Sequence, residues 1–277
     1  MTSYREIELV GLQNGQVDLF VGLLAEAGYS GFEELEDGHT LKAFIEQAEY
    51  DGVLLNSLLA PYQIKFNEKE IKEQNWNAIW ESNFEPVVVD DFLVIRADFH
   101  SQPFKTELEI LITPKMSFGT GHHATTYMMV SQMRQFEWAG KKVLDFGTGT
   151  GILAILANKL GAKEIIALDN DDWSIENATE NIMRNNCHHI AVKKAHTATT
   201  GGQYNTILAN INRNVIIANG EILAESLLPN GDLLISGLLK EDEQAMKELF
   251  VQLGLHYLTT IYKAQWIAMH FRKTEHA

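Results

Sequence analysis

The residues Val143-Leu144-Asp145-Phe146-Gly147-Thr148-Gly149-Thr150-Gly151-Ile152-Leu153 constrain this chain more than any other stretch. An apolar run carrying an acid leads into three alternate glycines, and Ile152, Leu153, Ile155, Leu156 and Leu160 follow at helical spacing. The pattern predicts a strand, a tight turn and a helix. Glycine suits such a turn because the backbone must enter conformations closed to other residues and let a ligand come close. The helix that follows presents N–H groups without intrahelical partners. Asp169 closes a second apolar run, Ile165-Ile166-Ala167-Leu168. A carboxylate at the end of a neighbouring strand suits a pair of ribose hydroxyls.

The spacing of the glycines separates two cofactor classes. Dinucleotide-binding turns follow G-x-G-x-x-G, but here the third glycine comes one residue early and Ile152 occupies the usual place. The G-x-G-x-G form is that of S-adenosylmethionine-dependent methyltransferases. A purely structural strand-to-helix turn is the bland alternative, and a nicotinamide-dependent oxidoreductase is the rival enzyme class.

From Lys142 onward, strand-like and helix-like segments alternate. Strands are expected at Val143 to Phe146, Ile165 to Asp169, Ile190 to Val192, Tyr204 to Asn210 and Asp232 to Ser236, with helices at 151–160, 173–185, 214–227 and 241–253. Tyr257 to Phe271 is expected to form paired edge strands. Such alternation predicts a doubly wound, Rossmann-like α/β domain whose sheet is mostly parallel. Ligands of these sheets bind beyond the strand carboxyl ends, where Gly147, Asp169 and Asn210 all fall.

The amino-terminal part follows a different pattern. Residues 4–10 alternate as a half-buried strand does, Val17, Phe20, Val21 and Leu24 recur at helical spacing, and Glu36-Asp37-Gly38-His39 is a hairpin signal between two apolar runs. A helix over Val53 to Leu59, ended by Pro61, and a strand over Tyr62 to Phe66 complete a β-α-β-β-α-β order, the ferredoxin-like α+β pattern. Trp76, Ile79, Trp80 and Phe84 then predict a short amphipathic linker helix. The expected division is residues 1–66 for the small domain, 67–86 for the linker and 87–277 for the large domain, with Val87 to Val89, Phe92 to Ala97 and Leu108 to Ile112 as strands leading into it.

Charge and cysteine content narrow the partners. The chain has 22 Lys and Arg against 37 Asp and Glu, a formal net charge of −15. Such a surface repels phosphate backbones and favours a basic protein partner over direct contact with nucleic acid. The single Cys187 leaves no internal disulfide and no multi-cysteine zinc site. No signal peptide or membrane-spanning run is evident, so a soluble cytoplasmic protein is expected, and a monomer. His122, His123, His188, His189 and His196 match no standard zinc spacing, and no metal is expected.

With these residues in view, the chain resembles the bacterial methyltransferases of the eleventh protein of the large ribosomal subunit. The resemblance rests on Phe118-Gly119-Thr120-Gly121-His122-His123-Ala124-Thr125-Thr126, on the 143–154 turn and helix, on Asp169, on Ala209-Asn210-Ile211 and on the Trp76-to-Phe84 segment. It covers nearly the whole chain. It implies a substrate-recognising ferredoxin-like domain, a linker and a seven-stranded methyltransferase domain that trimethylates amino groups, on lysine side chains and the amino terminus, of a large-subunit ribosomal protein. By resemblance, the cofactor contacts fall on Thr126, Gly147, Asp169 and Asn210, with Gly149 in the same turn. The 117–126 segment, placed before the first helix of such a domain, lies where a loop can fold over the methionine end of the cofactor; an ordinary surface loop is the alternative. This chain departs from the family pattern, having His122-His123-Ala124 where Thr-His-Pro is usual and Thr148-Gly149-Thr150 where Cys-Gly-Ser is usual. Asn210 is the candidate catalytic residue, its side-chain oxygen accepting a hydrogen bond from the attacking amine; the alternative is a turn-forming asparagine. A different protein or a small molecule as acceptor, and a non-catalytic binding module, are the other readings.

Overall fold

The computed structural model describes residues 3–13, 15–35, 38–71, 84–114 and 123–275. The chain divides into two compact units, with the boundary between Ser82 and Asn83.

The first unit runs β1 (Tyr4–Val10), α1 (Gln16–Glu26), β2 (Gly31–Glu34), β3 (Thr40–Glu46), α2 (Gly52–Leu59) and β4 (Lys65–Ile71). Its four strands lie in the order β2-β3-β1-β4 with every neighbouring pair antiparallel. Alternation puts Ile7 and Leu9 of β1 beside Leu41, Ala43 and Ile45 of β3 on one face, where Phe20 and Leu24 of α1 and Leu55 and Leu59 of α2 cover them. Asp51 starts α2 by accepting hydrogen bonds from the amides of Val53 and Leu54. This is the ferredoxin-like α+β pattern, with one revision. Tyr62, expected to open the last strand, lies in a 3-10 turn over Ala60–Tyr62, and the strand begins at Lys65 and continues to Ile71. Pro61 pre-sets the dihedral for that extra turn. The strand itself is an exposed edge whose charged side chains hide the alternation a buried strand would show. Residue 66 therefore falls inside β4, and residues 67–71 of the expected linker helix are strand. Residues 72–83 of that linker, including Trp76 and Trp80, and Glu36 and Asp37 of the hairpin lie outside the described residues.

The second unit opens with a three-stranded sheet of β5 (Val87–Val89), β6 (Leu93–Arg96) and β7 (Leu108–Leu111), followed by α3 (Ala124–Met133). The chain then alternates through β8 (Lys142–Phe146), α4 (Ile152–Lys159), β9 (Glu164–Asp169), α5 (Asp172–Arg184), β10 (Ile190–Lys194), β11 (Tyr204–Asn210), α6 (Arg213–Glu225), β12 (Leu227–Leu239), α7 (Glu243–Gln252), β13 (Leu255–Lys263) and β14 (Trp266–Lys273). The seven strands β8 to β14 form one sheet in the order β10-β9-β8-β11-β12-β14-β13. All run parallel except β14, which is antiparallel to both its neighbours. Helix α4 is buried from Ile152 to Ala157, which explains why its sequence is apolar on every side.

Candidate functional site

Strands β9, β8 and β11 end side by side, and the residues singled out from the sequence gather there. The amides of Gly147 and Thr148 both donate to the carbonyl of Leu168, which binds the turn after β8 to the end of β9. Gly147, Gly149 and Gly151 all adopt positive φ, at 77°, 52° and 83°. Asp169 Oδ2 accepts a hydrogen bond from the amide of Gly149 at 2.8 Å, and its Oδ1 accepts one from Asp171 at 3.1 Å. The carboxylate is thus held against the turn, with lone pairs left for further donors.

Beneath the turn lies Asp145, 1% exposed. Its Oδ2 accepts from the Thr148 hydroxyl at 2.6 Å and from the Ala154 amide at 3.2 Å, so one carboxylate oxygen ties the turn to the first turn of α4. Burial pushes its pKa up to about 7; the hydrogen bonds from Thr148 and Ala154 oppose that rise and the Asp169 charge adds to it. Asp145 is the turn-bracing carboxylate of this site.

The second side of the site is built by α3. The sequence reading places a loop here, but Thr125 and Thr126 lie in the first turn of a helix capped by His123. The His123 side chain accepts from the Thr125 amide, which starts a helix without a serine or aspartate cap. Burial lowers the His123 pKa to about 4, so the ring is neutral near pH 7. Phe118 to His122 lie outside the described residues. Thr126 is 2% exposed, and its hydroxyl accepts from Asn210 Nδ2 at 3.3 Å. With Nδ2 anchored, Asn210 Oδ1 is buried and has no partner among the described residues. An amide oxygen left this way is a hydrogen-bond acceptor waiting for a donor.

The position of Asn210 is fixed by the residue after it. A Cβ on Gly147 would stand 2.0 Å from Ile211 Cγ2, and a Cβ on Gly237 would stand 2.1 Å from the Ile211 carbonyl oxygen. Ile211 therefore fills a notch between two glycines. The direction a Cβ on Gly147 would take is filled by Ile211, which with the positive φ gives a packing reason for that glycine.

A row of asparagines on α5, Asn177 and Asn181 buried and Asn185 half-buried at its C-cap, was not singled out from the sequence. Asn181 donates through Nδ2 to the Thr150 carbonyl at 2.9 Å and accepts from the Thr113 amide at 2.7 Å; Asn185 pairs with the backbone of Leu111. They fasten the segment after β7 to α5 and to the glycine turn. The signal was visible in the sequence: Asn177, Asn181 and Asn185 recur every four residues in a helix, where asparagine is a poor former.

Among the described residues no three or more His, Cys, Asp or Glu side chains are grouped to hold a metal ion. The donor set does fit S-adenosylmethionine: a carboxylate at the end of β9 for ribose hydroxyls, a glycine turn with its helix start, and the unpartnered Asn210 oxygen at the end of β11.

Strand order decides the class. A dinucleotide-binding sheet runs 3-2-1-4-5-6 and is parallel throughout, whereas here an antiparallel strand, β14, is inserted before the last. With the G-x-G-x-G turn, this fold and site define a Rossmann-like S-adenosylmethionine-dependent methyltransferase, and the nicotinamide-dependent reading falls away. The profile of the ribosomal protein L11 methyltransferase family (PrmA) matches residues 23–274, and the chain belongs to that family. It is 37% identical over 262 residues to the ribosomal protein L11 methyltransferase of Phocaeicola vulgatus, covering 92% of each chain. It is 35% identical over 281 residues to that of Chlorobaculum tepidum, covering 96% of each. The crystal structure of a ribosomal protein L11 methylase from Lactobacillus delbrueckii subsp. bulgaricus superimposes with a TM-score of 0.64 at 28% identity, over 69% of this chain and all of that one.

Proposed function

We propose that this methyltransferase transfers methyl groups to the amino groups of ribosomal protein L11, on lysine side chains and at the amino terminus. The relatives' names support the acceptor, and the unpartnered Oδ1 of Asn210 supports the chemistry. S-adenosylmethionine, bound along the glycine turn, supplies an electrophilic methyl group. In this reading Asp169 accepts hydrogen bonds from the ribose hydroxyls, Gly147 and Gly149 shape the backbone beside the cofactor, and Thr126 closes the methionine end while it holds Asn210 Nδ2. Asn210 Oδ1 accepts an N–H from the incoming amine and points its lone pair along one line.

An ammonium has no lone pair to give, so the site must favour the neutral amine. Burial does this, because withdrawal from water penalises the charged form. Asn210 adds no ion pair that would hold the amine protonated: its oxygen is neutral, and it orients the amine by accepting one N–H. The chain's net charge of −15 suits a basic ribosomal protein and disfavours direct nucleic-acid contact. No helix among the described residues is long and apolar enough to cross a membrane, and we propose that the enzyme works in the cytoplasm as a monomer.

Calorimetric titration of S-adenosylmethionine into Asp169→Ala tests the cofactor arrangement. The variant should fold and bind at least tenfold more weakly, the loss expected for a charge-assisted hydrogen bond. Unchanged affinity would remove Asp169 from the site.

A further inference from the structure

Asn210 Oδ1 is not the only orphan on this side of the sheet. The indole N–H of Trp266 is also buried and has no acceptor among the described residues, and the whole residue is 7% exposed. A buried N–H of this kind is normally satisfied, so its missing partner calls for an oxygen from elsewhere.

Sheet register brings the two orphans to one face. Asn210 lies opposite Ser236 on β12, and Ser236 lies opposite Ala268 on β14. Trp266 precedes Ala268 by two residues, so it shares that face and stands about 7 Å further toward the ends of the parallel strands. Helix α3 makes the same connection independently. His123, its cap, meets the Trp266 ring edge-on with centroids 4.5 Å apart, while Thr126 holds Asn210. Residues three apart at a helix start are neighbours, so one turn supports both side chains.

The order of the strands tells which ligand lies at Trp266. Asp169 ends β9, the glycine turn follows β8, and Asn210 ends β11; β12 and then β14 lie beyond. A cofactor with its ribose at Asp169 presents its methyl at Asn210, and its methionine chain is the part that Thr126 closes. Trp266 stands on the far side, where the acceptor must enter. We propose that the Trp266 indole N–H binds a peptide carbonyl oxygen of the acceptor protein chain next to the amine being methylated, with the His123 ring setting the edge of the indole. This rests on the proposed role of Asn210.

The test uses the full-length enzyme, purified ribosomal protein L11 and Trp266→Phe, which keeps an aromatic ring against His123 and removes only the donor. The KM for the ribosomal protein should rise on the order of tenfold while the Kd for S-adenosylmethionine stays within twofold. In the wild type with S-adenosylhomocysteine bound, the indole N–H resonance of Trp266 should shift when the ribosomal protein is added and not before. That spectrum decides the matter alone should the variant fail to fold. A weakened cofactor with an unchanged KM would overturn the proposal and give the N–H to the methionine carboxylate. Unchanged constants and an unmoved resonance would overturn it in favour of a partner within the protein. An inactive wild type would instead sink the proposed acceptor, an outcome distinct from both.

Discussion

Ile211 is gripped by two glycines in different ways, and this permits a sharp test of what positions Asn210. At Gly147 the added methyl of Gly147→Ala would meet the Ile211 side chain, Cγ2 at 2.0 Å, with Cβ already at an acceptable 3.4 Å. At Gly237 the methyl would meet backbone, the Ile211 carbonyl oxygen at 2.1 Å and its carbon at 2.7 Å. Both positions have positive φ, 77° and 85°, which costs an alanine about 1–2 kcal/mol. Overpacking by one methyl adds about 1–3 kcal/mol, so Gly147→Ala should lose about 2–5 kcal/mol, roughly 5–15 °C in the thermal midpoint of a unit this size. Ile211→Ala removes Cγ2 and should recover about 1–3 kcal/mol of that loss in a double-mutant cycle. The same partner should recover almost nothing with Gly237→Ala, because the obstructing carbonyl remains. Calorimetric unfolding of the five variants, with S-adenosylmethionine titration of each folded one, checks this. Equal rescue of both glycine variants, or rescue of neither, would refute the account of the notch.

Two further outcomes follow from the site and the domain organisation. Burial raises Asp145 from the ordinary 3.8 to about 7 in the folded protein, so between those values the folded protein keeps a proton that the unfolded chain gives up, and stability falls as pH rises. His123, lowered to about 4 from 6.5, has the opposite effect, its contribution being complete above 6.5 and lost as pH falls toward 4. Asp145→Asn should therefore remove the fall between pH 3.8 and about 7 that opposes the His123 effect, and leave a protein whose stability rises from pH 4 to 6.5; urea midpoints across pH 4–8 that keep the wild-type profile would contradict this. Removal of residues 1–82 should leave S-adenosylmethionine affinity intact while methylation of ribosomal protein L11 falls at least a hundredfold, and a full rate from the truncated chain would deny the first unit its role in recognition.

The alternation from Lys142 to Asp242 was legible in the sequence because buried parallel strands are short apolar runs and the helices between them carry a regular apolar spacing. The glycine turn, Asp169 and Asn210 could be read from their places at strand ends. What the sequence hid had definite causes. The β4 edge is paired on one side only and carries charge, so its alternation vanishes. Helix α3 begins at a histidine cap and two threonines, residues that look like loop. Trp266 is one aromatic at the start of β14, a strand paired on both sides, and its lack of an acceptor among the described residues is seen only once register and α3 are known. The glycines at 147 and 237 are ninety residues apart in sequence, and only the sheet brings them to the two sides of Ile211.

The proposed role of Asn210, held by Thr126 at the end of β11, is to present an amine to a methyl donor lying along the glycine turn. It is tested most directly by transfer of labelled methyl from S-adenosylmethionine to purified ribosomal protein L11, followed by mass spectrometry of the product, for the wild type and Asn210→Ala. The account predicts label on lysine and amino-terminal nitrogens with the wild type, and with Asn210→Ala a kcat reduced by two orders of magnitude or more beside a cofactor Kd changed only severalfold. Undiminished turnover by Asn210→Ala, or label on no amine of that protein, would contradict it.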